Sequence, residues 1–261
     1  MKPIALAAAL VTAGLLAASA LVVQPAIAQP VAVPSNIAAA VADPGRPKDD
    51  LDRDALRHPA EVLAFAGVKP GDSVADLLPG GGYFTRIFSK AVGPSGHVYA
   101  IVPAEIAKAF PKSVDGVKAL AADPAYANVT VLVEPIEGFS APAPLDLVWT
   151  AQNYHDLHDP FMGPADLAKV NGAIFAALKP GGTYLVLDHV AEAGSGLRDT
   201  NTLHRIDPAV VKTEVTAAGF VLAGQSGLLH NPGDAHIEKV FDPSIRGRTD
   251  QFIFKFRKPA G

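Results

Sequence analysis

The stretch Val74–Thr85, VADLLPGGGYFT, joins an apolar run ending in an acid to a proline, three successive glycines and an aromatic pair. The apolar run closed by a turn predicts a short buried strand, and TRIFSKAVG (85–93) predicts a short helix after it. A bare backbone between strand and helix lets the chain approach a ligand closely, and the amides opening the helix can bond its polar atoms. Any tight connection can use glycine, so the neighbours of this turn decide what it is.

Upstream, DRDALRHPAEVLAFAGV (52–68) carries a helical rhythm that closes at Gly67, and KPGDSVADLLP (69–79) gives a turn and the first strand. Downstream, GHVYAIVP (96–103) predicts a second strand, and AEIAKAFPKSVDGVKALAAD (104–123) a helix interrupted at Pro111. NVTVLVEP (128–135) and PLDLVWTAQ (144–152) predict strands three and four. ADLAKVNGAIFAALKPGG (165–182) predicts a helix and TYLVLDHV (183–190) strand five. Strands alternating with helices imply a parallel sheet with right-handed crossovers and helices on both faces. The tail departs from this: after the helix DPAVVKTEVTAAGF (207–220), VLAGQSGLLHN (221–231) and TDQFIFKFRKP (249–259) are strands joined by a loop, which predicts an antiparallel final pair. In such a sheet a ligand sits outside the carboxyl ends of the strands where strand order reverses, and the first strand-to-helix turn is its floor.

The 261 residues, 49% hydrophobic and 18% charged, suffice for one mid-sized domain with a sizeable core. A net charge of -4 with scattered Lys and Arg leaves no footprint for a phosphate backbone, so nucleic acid is not an expected partner. Residues 1–28 combine Lys2, a long Ala/Leu/Val run and the small-x-small triplet Ala26-Ile27-Ala28, the pattern of a secretory signal cleaved before Gln29. The expected location is periplasmic or secreted, without stable membrane insertion after cleavage. Cysteine is absent, so neither a disulfide framework nor a cysteine-linked lipid exists. The Pro- and Ala-rich residues 29–50 read as a linker or N-terminal arm, leaving 51–261 as the domain.

VADLLPGGGYFTRIF, GHVYAIVP, LDLVWTAQNYHDLH and ALKPGGTYLVLDH together resemble the class I S-adenosylmethionine-dependent methyltransferases. With the endings AGFVLAGQSGLLHNPGD and RGRTDQFIFKFRKP, the chain is similar to a group of exported bacterial predicted methyltransferases. The resemblance covers residues 50–259 and implies a Rossmann-like seven-stranded α/β sheet with helices on both faces and an antiparallel last strand. It implies S-adenosylmethionine as cofactor and a small-molecule acceptor. Gly80, Gly81 and Gly82 would pass under the methionine part of the cofactor, Asp76 would orient that loop or its amino group, and Tyr83, Asn153 and Tyr154 would line the pocket. The family commonly places an acid at the end of strand two for the ribose hydroxyls. Here that position is Pro103, and Pro135 stands near the adenine position, so Glu105 and Glu134 are the nearby substitutes.

Methyl transfer is an in-line displacement in which positioning dominates, and an oxygen or nitrogen nucleophile also needs a base. In NYHDLHD (153–159), His155 is the expected base, with Asp156 beside it, because an unperturbed imidazole titrates near neutrality. His158 and Asp159 read as solvated loop residues, Trp149 as core, and Arg205 in LHRID as a possible clamp for an anionic substrate. Some catechol-type relatives hold a cation at the ends of these strands. His155, Asp156, Asp188 and His189 match no compact metal motif, and no metal is expected. Two other classes fit the sequence: an exported non-catalytic binding module on the same fold, and a metal-assisted hydrolase built on the His/Asp cluster.

Overall fold

The computed structural model describes residues 32–163 and 165–261. The expected signal segment and its cleavage point before Gln29 lie outside them.

Apolar runs of five to seven residues become the strands β1 (Ser73–Leu77), β2 (His97–Pro103), β3 (Val129–Glu134) and β4 (Leu145–Ala151). β5 (Leu178–His189), β6 (Val221–Ser226) and β7 (Gln251–Arg257) complete a sheet of order β3-β2-β1-β4-β5-β7-β6. β1 to β5 pair in parallel, and β7 runs antiparallel to both β5 and β6. Side chains alternate between the faces, so the inner strands serve two cores, whereas the edge strand β6 is exposed. Val74, Leu147 and Trp149 belong to one core with α1 (Ser35–Val41), α4 (Pro59–Ala66), α5 (Tyr83–Val92) and α7 (Asp115–Ala122). Ala75, Leu77 and Val148 belong to the other with α8 (Leu167–Ala177) and α10 (Pro208–Ala217). Trp149, expected in the core, is fully buried, edge-on to Phe84 and Phe88 at 4.7 and 5.1 Å. No helix among the described residues is long and apolar enough to cross a membrane.

Three boundaries differ from the sequence reading. The helix expected over 52–68 is broken, with α2 (Lys48–Leu51), α3 (Asp54–Arg57) and α4 separated by turns, and His58 takes φ 45° directly before Pro59. Proline crowds the residue before it out of the α region, so the helix cannot run through. The helix expected over 165–182 stops at Ala177 because Pro180 cannot continue it, and Leu178-Lys179-Pro180-Gly181-Gly182 joins β5. The segment read as linker or arm contains α1, whose Ile37 is fully buried against α4 and α5. Beyond α1, the Arg46 guanidinium is buried and grips Asp54 through two bonds of 2.7 Å.

β1 lies between β2 and β4, and the chain crosses to opposite faces on either side of it. The crevice expected at such a reversal opens at the carboxyl ends of β1 and β4.

Candidate active site

A cavity of about 450 Å³ occupies that crevice, in the range usual for small-molecule sites. Its floor is the turn after β1. Gly80 (φ 55°) and Gly82 (φ 84°) have left-handed backbones, whereas Gly81 does not. A Cβ on Gly80 or Gly81 would meet nothing within 4 Å, but one on Gly82 would lie 2.6 Å from Leu120 Cδ1. Gly80 and Gly81 therefore keep space open for a ligand, and Gly82 makes room for packing against α7.

Asp76, at the end of β1, is 3% exposed and accepts a 2.6 Å bond from the Thr85 hydroxyl. Burial pushes its carboxyl up to about 7, against the opposing pull of Thr85 and of Arg57. Arg57 forms the facing wall. Its guanidinium lies over the Tyr83 and Phe84 rings at 4.3 and 4.7 Å and donates to Gln152 Oε1 at 3.1 Å. Burial lowers its pKa to about 10, which leaves it charged at neutrality. Among the described residues no carboxylate pairs with it at salt-bridge distance, whereas Arg46 holds Asp54 and Arg53 holds Asp50. Tyr83 fixes this wall by donating from its hydroxyl to Asp54 Oδ1 at 2.6 Å.

A histidine–carboxylate cluster on the short turn after β4 and the end of β5 also lines the cavity. His155 is 2% exposed; its Nδ1 lies 2.9 Å from Asp188 Oδ1, and its amide donates to Asp188 Oδ2 at 2.8 Å. Its Nε2 lies 3.3 Å from both Asp156 Oδ1 and His204 Nδ1. Burial alone would lower the His155 pKa, but Asp188 and Asp156 outweigh it and push it up to about 10. Carboxylates on both sides thus favour positive charge at this ring, a proton or a cation at Nε2, where the sequence suggested an imidazole titrating near neutrality. His189, 6.3 Å away between ring centres, goes the other way: burial brings it down to about 4 and its Nδ1 sits 2.7 Å from the Thr249 hydroxyl. The two neighbours shift in opposite directions because one has a carboxylate on each side and the other is chiefly desolvated.

The backbone around the cavity is strained. Of the five non-glycine residues with positive φ among the described residues, Leu78 (58°), Gln152 (65°) and His204 (55°) all line it. Such conformations cluster where a site over-determines the chain.

Of the residues singled out in the sequence, Asp76, Gly80, Gly81, Tyr83, Asn153, His155 and Asp156 line one cavity. Gly82, Glu105 and Tyr154 do not. Tyr154 is fully buried on the far side, its hydroxyl donating to Glu214 at 2.9 Å and accepting from Asn171 at 3.0 Å. Glu105 turns toward the Ile136 amide, 3.3 Å away, and Glu134 is bonded to Ser140. Neither carboxylate is among the residues lining the cavity or the hollow beside Pro103. Beside that proline lies a smaller hollow of about 140 Å³, lined by Asp156 and by Ser113, whose buried hydroxyl has no hydrogen-bond partner.

Asp159, read as a solvated residue, is fully buried with neither carboxylate oxygen in hydrogen-bond geometry with any described residue, and His158 pairs with Glu214 at 3.2 Å. Arg205, considered as a substrate clamp, is wholly buried and bonded to Asp234. The sequence reading missed Arg57, Gln152 and the ring of Phe110, Phe161 and Phe241. The His58-Pro59 pair is the one local signal that α3 ends early enough to point Arg57 inward.

No family model matches the chain. Over 90 residues, a third of the chain, it is 34% identical to protein-L-isoaspartate O-methyltransferase of Ignicoccus hospitalis, and it spans about 40% of that curated relative's length. Among solved structures, it is similar to a SAM-dependent methyltransferase from Aquifex aeolicus, with TM-score 0.57 and 21% identity over 80% of this chain and 94% of that one. It is also similar to the [4+2]-cyclase SpnF, with TM-score 0.56 and 17% identity over 81% of each chain. The chain thus has the Rossmann-like α/β fold of the S-adenosylmethionine-dependent methyltransferases, seven strands with the last antiparallel.

Proposed function

We propose that the chain binds S-adenosylmethionine in this cavity and transfers its methyl group to a small-molecule acceptor. The observation that carries the reading is the Gly80-Gly81 floor, empty where a Cβ would stand, in a cavity that the Asp76 carboxyl and the Arg57 guanidinium also line. An amino-acid end carrying both an ammonium and a carboxylate suits such an opposed pair, and an ammonium beside Asp76 would hold it ionised. In the neighbouring hollow, the free Ser113 hydroxyl and Asp156 offer polar partners to a sugar, which fits the absence of an acid at Pro103. When bound, the cofactor supplies an electrophilic methyl on a sulfonium. The chain's own part is to orient the acceptor and exclude water. Phe110 and Phe161, 5.6 Å apart, with Phe241 at the mouth, suit an acceptor with an apolar body.

Titration calorimetry with S-adenosylmethionine tests this. Micromolar binding is expected, weakened roughly 10- to 100-fold in Arg57→Ala through loss of one charge-assisted bond. No heat in the folded wild-type protein would end the proposal. The likeness to a [4+2]-cyclase supports a second reading, in which the pocket serves a ligand without methyl transfer. Cofactor binding without a methylated product from any acceptor offered would favour it.

Export belongs to the same proposal, on the strength of the Ala26-Ile27-Ala28 triplet alone. An intact-mass measurement on envelope protein should give a chain beginning at Gln29, and a retained Met1 would refute export.

A further inference from the structure

We propose that His155, Asp156 and His204 form a binding site for one divalent transition-metal ion, zinc in the first instance, opening onto the cavity. Each contributes one ligand atom, and the three atoms lie within 4.8 Å of one another. His155 Nε2 is 3.3 Å from Asp156 Oδ1 and 3.3 Å from His204 Nδ1, and His204 Nδ1 is 3.9 Å from Asp156 Oδ1. Tetrahedral ligands at the usual zinc distances stand about 3.3 Å apart, so two edges already have the required length and the third closes by a small rotation of the His204 ring. Two imidazoles and one carboxylate select zinc or its first-row neighbours over calcium or magnesium, which prefer oxygen.

Two further features fit a metal and are independent of the spacing. The ring nitrogen of His155 that faces away from the site is held 2.9 Å from Asp188, a carboxylate with no exposed surface. A carboxylate behind a histidine in this way fixes the ring and raises its basicity as a ligand. His204 reaches the site from a left-handed backbone, φ 55°, at the end of α9 (Thr200–Leu203), a conformation a histidine adopts at a local energetic cost. All three residues line the cavity, so a metal held by three protein atoms keeps a coordination position on the ligand side, the pattern of catalytic rather than structural zinc. That position takes an oxygen donor. On the methyl-transfer reading it would bind an acceptor hydroxyl, which loses its proton to solvent. Its oxygen then forms a bond to the methyl carbon as the sulfonium carbon–sulfur bond breaks and sulfur keeps the electron pair. This last consequence rests on the proposed function, whereas the site itself does not.

The test is a zinc titration of chelator-treated full-length protein, followed by the same titration of variants. One zinc per chain is expected. His204→Ala and Asp156→Asn should each weaken it by roughly 100-fold or more in variants that still unfold cooperatively when metal-free. His236→Ala, in the separate cluster where His230 and His236 flank Asp250 at 2.9 and 3.0 Å, should change nothing and controls for adventitious surface binding. Absence of zinc binding in the wild type, or an unchanged affinity in folded His204→Ala, overturns the site, as does an equal loss in His236→Ala. Titration of the metal-free protein with S-adenosylmethionine keeps the two proposals apart. Cofactor binding without zinc binding ends the metal site alone, and zinc binding without cofactor binding ends the proposed function alone.

Discussion

Gly81→Val should lose S-adenosylmethionine affinity by more than roughly 100-fold with its melting temperature within a degree or two of the wild type, since surface-type substitutions typically act within ±0.5 kcal/mol. The position is unusual among the three glycines. Gly80 and Gly82 have φ of 55° and 84°, so a side chain there strains the backbone whatever the ligand does. Gly81 lies outside the left-handed region, and its Cβ would meet no protein atom within 4 Å. A Cβ at 81 therefore needs no left-handed backbone and meets no protein atom, and a valine there adds bulk at a residue that lines the cavity. Calorimetry and a thermal melt on one sample separate the outcomes. Undiminished affinity in a folded variant would show that the glycine turn is a connector, and the ligand would have to sit elsewhere.

How much of this was legible before the structure depends on the distance over which the information travels. The strands were readable because each is a bounded apolar run, and the antiparallel ending because no helix separates the last two. The turn after β1 was readable because its glycines are consecutive. The walls of the cavity were not. Arg57 lies in a charged run that resembles a solvated helix face, and the contacts that fix its segment are distant in sequence, with Asp54 held by Arg46 and by Tyr83, 29 residues downstream. Tyr154 sits between two cavity residues in sequence but points to the opposite core, toward Glu214, 60 residues away. His155 shows the same limit in its chemistry. A histidine in a polar loop suggests a neutral base, and only the fold brings up Asp188, 33 residues on, which raises its pKa.

Arg205→Ala should destabilise the protein by about 3–5 kcal/mol, the usual result of removing one member of a buried ion pair and leaving the other unpaired. For a chain of this size that corresponds to a drop of roughly 6–20 °C in melting temperature. Arg205 has no exposed surface, and its guanidinium makes a two-pronged contact with Asp234 at 2.8 and 3.1 Å while donating to the carbonyls of Val190 and Glu238. It thereby ties the end of β5 to the 234–238 loop, which leads into the cavity residues Val240 and Phe241. Arg205→Lys should recover part of the loss, since an ammonium restores the charge but not the planar fork. The pH dependence has a definite sign. Burial alone would raise the Asp234 pKa, but Arg205 and the amides of Asp250 and His236 outweigh it and hold the carboxyl below its ordinary range. A depressed folded-state pKa contributes stability above the unfolded value, near 3.9, and loses it as pH falls toward the folded value. The gap between wild type and Arg205→Ala should therefore be full at neutrality and narrow below about pH 4, as Asp234 is protonated in the variant first. Denaturant unfolding at pH 7 and pH 3.5 measures both points. Coincident midpoints at pH 7 would mean that the guanidinium contributes no more than the water it displaces, and the 234–238 loop would owe its position to packing.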